Sequence, residues 1–142
     1  MSFKQISQIA GSAMSAQTTR LNTIASNLAN AQSASGSEAD TYRARKPVFA
    51  ALAAREGLGE QQLAGSRVQV LDVVESDEPL RKVYEPEHPL ANEAGEVFYP
   101  NVNPVAEMTD MMSASRAFET NVEVLGRVKA MQQSLLRLGE GQ

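Results

Sequence analysis

The sequence predicts a mainly α protein with a small β insert: long N- and C-terminal helices paired as a coiled-coil-like hairpin, with a short antiparallel β meander between them. Three features lead there. Apolar residues recur every three or four positions at both ends, the period changes to two in the middle, and bulky core residues are scarce. Aromatics make up 5% of the 142 residues and Trp is absent, so there is little to fill a compact core. The expectation is an elongated shape, or one that depends on assembly.

The first element, residues 1–35, is a helix. Phe3, Ser7, Ala10, Met14, Gln17, Leu21, Ile24, Leu28 and Ala31 keep a four-three spacing for about four heptads, the mark of a helix-pairing seam. Ile6 and Ala13 widen the stripe. Ser2 is positioned as its N-cap, and Gly36 or the Ser-rich run before it as its stop. The opposite face is Ser, Gln, Thr and Asn rather than Glu and Lys, so i,i+4 ion pairs are few and the helix alone is marginal. Two asparagines, Asn27 and Asn30, fall where it ends. Asn caps helices and tolerates left-handed backbone, which suits them to closing it.

A Ser/Gly-rich connector over 36–46 reads as a hinge. The β-rich middle, 47–102, offers four short segments, "KPVFAALAAR", "SRVQVLDVVES", "PLRKVYEP" and "GEVFYPN", separated by turn chemistry. Pro79, Pro86 and Pro89 belong at its edges and turns. So few strands bury little unless helices or a neighbouring subunit cover them.

The last element, 103–142, has the clearest boundaries. Asn103 and Pro104 read as N-cap and first helical residue, with Glu107 and Asp110 near the positive end of the dipole. Met111, Ala114, Phe118, Asn121, Leu125, Val128, Met131 or Gln132, Leu135 and Leu138 repeat the seam. Arg137 and then Gly139 supply a basic last turn and a stop near Leu138. At ~1.5 Å per residue the two helices are each roughly 45 to 55 Å long.

Charge and composition narrow the function. The chain carries −4 overall: five basic and two acidic side chains in 1–46, four and ten in 47–104, and four and five in 105–142. An acidic middle argues against nucleic acid, which needs a dense basic surface. Without cysteine there is no disulfide, thiolate metal site or Cys nucleophile. No cleavable signal peptide is visible in the first twenty residues, and the longest apolar run, Val48 to Ala54, is far short of the ~20 residues of a membrane span.

Candidate chemistry is thin. His88 stands between Pro86 and Pro89 with only Glu85 and Glu87 beside it, too few ligands for a metal. Gly57, Gly59 and Gly65 lack dinucleotide spacing and read as a flexible loop. No base is placed to activate a Ser or Thr. Met108, Met111 and Met112 read as helix core packing rather than a peptide groove. Arg43, Arg45 and Lys46 beside Tyr42 read as a solvated loop or as salt-bridge partners rather than a membrane patch. The expectation is therefore no enzyme and no cofactor, with helix order gained through assembly.

Three blocks, "SAMSAQTTRLNTIASNLANA", "VYEPEHPLANEAGEVFYPNVNPVAEMTDMMSASRAFETNVEVL" and "KAMQQSLLRLG", resemble the bacterial flagellar basal-body rod proteins, and cover most of the chain in order. The general pattern places a short Thr-Pro-Gly-Tyr turn after the asparagines. Here "QSASGSEADTY" replaces it, which is similar to the proximal-rod members. The matching motif positions are Asn27, Asn30, Tyr42, Asn103 and Pro104. The resemblance implies a structural subunit of the drive shaft, exported without cleavage by the flagellar type III apparatus and assembled in the periplasm. It implies terminal helices lining the export channel and a middle segment further out. The implied partners are copies of itself, other proximal and distal rod subunits, and adaptor proteins of the membrane ring.

On that reading Phe3, Ile6, Met14, Leu21, Ile24 and Leu28 pack against Met111, Phe118, Leu125, Val128 and Leu135, within or between subunits. The competing reading is a soluble helical-hairpin adaptor or export chaperone, which would be a folded, strongly helical monomer or small oligomer alone. An interfacial membrane helix is a third, but the first helix has only Lys4 and Arg20 as charges and little aromatic anchoring.

Overall fold

The computed structural model describes residues 2–52 and 66–140. Its order is α1 (Phe3–Asn30), β1 (Arg45–Leu52), β2 (Arg67–Glu75), β3 (Arg81–Tyr84), β4 (Glu96–Tyr99) and α2 (Pro104–Glu140). Two long helices thus bracket a small β region, as the periodicities predict. At ~1.5 Å per residue the 28 residues of α1 span about 42 Å and the 37 of α2 about 55 Å.

Each helix starts at a built cap. The Ser2 hydroxyl accepts from Gln5 N–H while the Gln5 side chain accepts from Ser2 N–H, a reciprocal capping box. Asn103 Oδ1 accepts from Val105 and Ala106 N–H, satisfying two donors that helix geometry leaves free. The ends differ from expectation. α1 stops at Asn30, ahead of Gly36, where Asn30 turns its amide back onto Ser26 O and the next residues form a turn. α2 carries Gly139 inside its last turn instead of just beyond it, since glycine weakens a helix least where the end already frays.

The helices pack antiparallel. The C-cap of α1 at Ala31 and the start of α2 at Asn103 and Pro104 line one groove, and eleven residues back along α1 Arg20 pairs with Asp110 at 3.0 Å. The seam residues Ala10, Ile24, Ala114 and Val128 are buried, and so is Ala16 on the α1 face that carries Ser12 and Asn27. Alanine at these positions lets the helix axes approach closely.

The strands do not form one meander. β1 pairs only with β2 and β3 only with β4, two separate antiparallel hairpins. The carbonyls that would extend a ladder from β2 toward β3 are taken: Ser76 O and Glu78 O accept from the Asn101 amide and the Arg43 guanidinium. Pro79 then breaks the link. Within the first hairpin the register slips between Val48 and Phe49, so Leu71 is an extra, exposed bulge residue.

The connector is not a free hinge either. Ser35 and Phe98 exchange both backbone hydrogen bonds, and Gly36 lies so close to the 88–91 turn that a Cβ would sit 2.8 Å from Leu90 O. Thr41 and Ala44 are buried. The connector's short side chains read as flexible in sequence, but they let two backbones meet. The glycines Gly57, Gly59 and Gly65 lie outside the described residues.

Candidate functional site

The polar face of α1 has a use that its composition conceals. Its Ser, Gln and Asn side chains hydrogen-bond the first hairpin, which runs lengthwise along the helix. At one end Arg67 donates to Gln8 Oε1 at 2.7 Å and Val68 N–H to Ser12 Oγ at 3.1 Å. At the other, Asn27 holds Arg45. The spans agree: seven strand steps from Arg45 to Leu52 cover ~23 Å, and fifteen helical steps from Asn27 to Ser12 cover ~22 Å.

Asn27 is the centre of this arrangement. It is 1% exposed. Its Nδ2 donates to Arg45 O and its Oδ1 accepts from Arg45 N–H, both at 2.9 Å, so one side chain satisfies both backbone groups of one residue. Oδ1 also accepts from the Tyr42 hydroxyl at 2.9 Å, and the Ser26 hydroxyl lies 3.1 Å from the same tyrosine oxygen. The Arg45 guanidinium covers the Tyr42 ring at 5.5 Å and reaches Glu75.

A second asparagine completes the joint. Asn101 Oδ1 accepts from Ala44 N–H at 2.7 Å, and Ser76 N–H donates to Ala44 O at 2.7 Å. All four backbone groups of Ala44 and Arg45 are therefore paired, from α1, the β2 end and the segment before α2. Three remote parts of the chain meet at these two residues. Arg43 adds a latch, bonding Ser76 O and Glu78 O with one nitrogen and Glu38 with the other.

Of the seam residues named from sequence, Ile24 and Val128 are buried, and Phe3, Ile6, Met14, Leu21, Leu28, Met111, Phe118 and Leu125 are half-buried. Leu135 lies beyond the reach of α1 and is exposed. Asn27, Asn30 and Tyr42 come together around the node, and Asn103 with Pro104 opens α2. Met108 and Met112 are exposed, against the core-packing expectation, because among the described elements α1 alone packs on α2. Two members of the basic cluster make internal pairs, Arg43 with Glu38 and Arg45 with Glu75, and Lys46 is exposed. His88 sits in a turn, its Nδ1 accepting from Leu90 N–H. Sequence reasoning missed the roles of Gln8, Ser12 and Asn101; an uncharged polar stripe on a long helix was the signal for the first two.

The second hairpin has its own electrostatics. Lys82 pairs with Glu96 at 2.7 Å, and the hydrogen bond from Lys82 holds the Glu96 carboxyl below its usual range. The Tyr99 hydroxyl donates to Glu85 at 3.0 Å, a bond that raises its pKa, while Arg81 lies 4.7 Å over the ring centre. Among the described residues no group of carboxylates and imidazole is arranged to hold a metal, and no helix is long and apolar enough to cross a membrane.

Comparison with known proteins matches the sequence to one group. The profile described as "Flagella basal body rod protein" matches residues 8–33, and "Flagellar basal body rod FlgEFG protein C-terminal" matches 94–138, so the two profiles cover the two helices and their junction. The chain is 48% identical over 140 residues to "Flagellar basal-body rod protein FlgC" of Escherichia coli O6:H1, spanning 99% of this chain and 100% of that one. It is 47% identical to the protein of that name from Salmonella typhimurium, with the same coverage. The Bacillus subtilis counterpart is 33% identical over 93% of this chain and 95% of its own.

Proposed function

Because the chain belongs to the flagellar basal-body rod protein family, as a FlgC-like structural subunit of the proximal rod, we propose that its helix pair forms the wall around the export channel and its hairpins lie further out. Its place is the flagellar basal body, assembled with other rod subunits, and its role is in motility. Its relatives are structural rod proteins.

The observation that carries the reading is the Asn27 node, which ties the backbone of β1 to α1 at a buried point. A drive shaft must transmit torque between its inner and outer layers without slip, and a buried bidentate amide is a rigid connection of that kind. The load passes along the α1–α2 seam and out through Asn27 and Asn101 to the hairpins. No residue is catalytic, and the protein uses no cofactor.

The marginal α1 fits export through the flagellar type III apparatus without a cleaved signal. Its polar stripe makes few local ion pairs and is satisfied only when the first hairpin arrives, so an unfolded chain threads easily and orders in the periplasm on assembly. Its partners there are further copies of itself, the proximal and distal rod subunits, and the adaptor proteins of the membrane ring. Export with no ordered tertiary structure and order on assembly are the two halves of one mechanism.

Leu125→Asp tests this. It places a carboxylate on the half-buried seam. In cells whose own copy is deleted, this variant is expected to leave basal bodies without a complete rod and cells that do not swim. Normal swimming would overturn the reading.

A further inference from the structure

The first hairpin rests on only one of the two helices. β1 and β2 both pack on α1, and among the described residues no close backbone contact joins either strand to α2. Between β1 and the first turns of α2 lies a pocket of about 350 Å³, lined on the α1 side by Thr23 and Ile24. Ile24, Pro47 and Phe49 are its apolar wall, and Phe49 is still 39% exposed.

Five charged side chains line this pocket, and three of them are already paired. Arg20 and Asp110 bond each other at 3.0 Å, and Arg45 pairs with Glu75, outside the pocket. Glu107 and Lys46 are left. Glu107 is 9% exposed, yet its carboxylate makes no hydrogen bond or ion pair among the described residues. Its oxygens are not sealed off as Gln17 Oε1 is, so they open to the pocket. Lys46, next to the Arg45 that Asn27 holds, is exposed and equally unpaired among the described residues.

A buried carboxylate without a partner is costly. Glu107 lies in the first turn of α2, whose positive end offsets part of that cost but does not fill the space beside it. The charges around the pocket restrict what could. Arg20, Arg45 and Lys46 repel a bare metal cation, and Glu107 and Asp110 repel a bare anion. An ammonium for Glu107 and a carboxylate for Lys46, joined by an apolar body, match all three features.

We infer that this pocket binds a small zwitterion, an α-amino acid with an apolar side chain: its ammonium on Glu107, its carboxylate on Lys46 and its side chain on Pro47 and Phe49. The Thr23 hydroxyl donates to Thr19 O, which leaves its oxygen able to accept a second ammonium hydrogen. The volume is in the range of small-molecule pockets. A ligand held there joins β1 to α2 across a gap that the chain leaves open. It adds an attachment of the hairpin to those on α1 and at Asn101. The site does not depend on the rod reading.

Calorimetric titration of the purified full-length chain tests this, with leucine as the probe and under conditions where circular dichroism shows the helices formed. Saturable binding is expected. Leucinamide, which lacks the carboxylate, and isocaproate, which lacks the ammonium, are expected to bind weaker by about tenfold or more. Glu107→Gln is expected to weaken leucine by about tenfold with circular dichroism unchanged. Lys46→Met is expected to weaken leucine but leave leucinamide unaffected, a split that a general loss of fold would not produce. No saturable heat by about 10 mM leucine, equal binding of the three probes, or equal weakening of leucine and leucinamide in Lys46→Met would overturn the site. So would equal losses of thermal stability in Glu107→Gln and Lys46→Met with no response to leucine, because Lys46 would then close the pocket on Glu107 unaided. If Glu107→Gln does not fold, the three probes on the native and Lys46→Met chains decide.

Discussion

Asn27 on α1 satisfies both the N–H and the C=O of Arg45 at the start of β1, eighteen residues away in the chain, from a fully buried position. Asn27→Ala removes the partner of two part-buried backbone groups and leaves the Tyr42 hydroxyl with Ser26 alone. A loss of roughly 2–3 kcal/mol is expected, measured by urea unfolding, with faster amide exchange at Arg45 than at the capped start of α2. Asn27→Asp keeps two acceptor bonds but faces the Arg45 carbonyl with a carboxylate, so it is expected to be at least as destabilising at pH 7 and to recover part of the loss as the pH falls toward 4.

Gly95 has φ of 74°, in the left-handed region, at the turn that joins the two strands of the second hairpin. Its N–H donates to Asn92 O and its carbonyl accepts from Glu85 N–H, so the conformation is fixed by both neighbours. A Cβ there would also stand 2.8 Å from Tyr84 Cε2 and 3.1 Å from Pro86 Cβ. Gly95→Ala is expected to cost about 1–3 kcal/mol, read as a lower urea midpoint, with the larger share from the backbone.

How much of this was legible depends on what each residue's partner is. The helices were legible because a four-three stripe and the caps at Ser2 and Asn103 are local, and every signal lies within four residues of its effect. The strands were legible as strands, but their division into two hairpins was not. It follows from Asn101 and Arg43 claiming the carbonyls of Ser76 and Glu78, contacts between side chain and backbone at 23 to 35 residues' separation. Asn27 was visible as an unusual residue without its reason. From sequence its amide suited a helix end, whereas it binds a strand that begins fifteen residues after α1 stops. The polar face of α1 misled in the same way, since Gln8 and Ser12 look solvated until β2 is placed beside them.

Gln17 stands on the α1 seam, and its Oε1 is buried without a hydrogen-bond partner among the described residues. A buried acceptor left unpaired costs about 1–3 kcal/mol, so Gln17→Met, which keeps the length and removes the acceptor, is expected to stabilise the helix pair by about 1 kcal/mol. Thermal unfolding followed at 222 nm measures it. A decrease in Tm would mean that the glutamine amide contributes something the seam geometry does not reveal.

Acid should loosen the second hairpin before the first. The Lys82 hydrogen bond and charge hold Glu96 below its unfolded pKa, and this outweighs the opposing effect of desolvation. A depressed carboxylate stabilises the fold fully above its unfolded value, near 4.5, and the contribution is lost as pH falls through the lower folded value. Glu96 also pairs through its backbone with Tyr84 and Asn92, so protonation weakens the strand that supports Phe98 and its bridge to Ser35. Urea midpoints measured from pH 7 to pH 3 are expected to fall below about pH 4.5, with the amides of residues 81–99 exchanging first. In Lys82→Met the Glu96 carboxyl titrates close to its unfolded value, and that part of the acid dependence disappears. An acid transition of unchanged size in this variant would place its origin elsewhere.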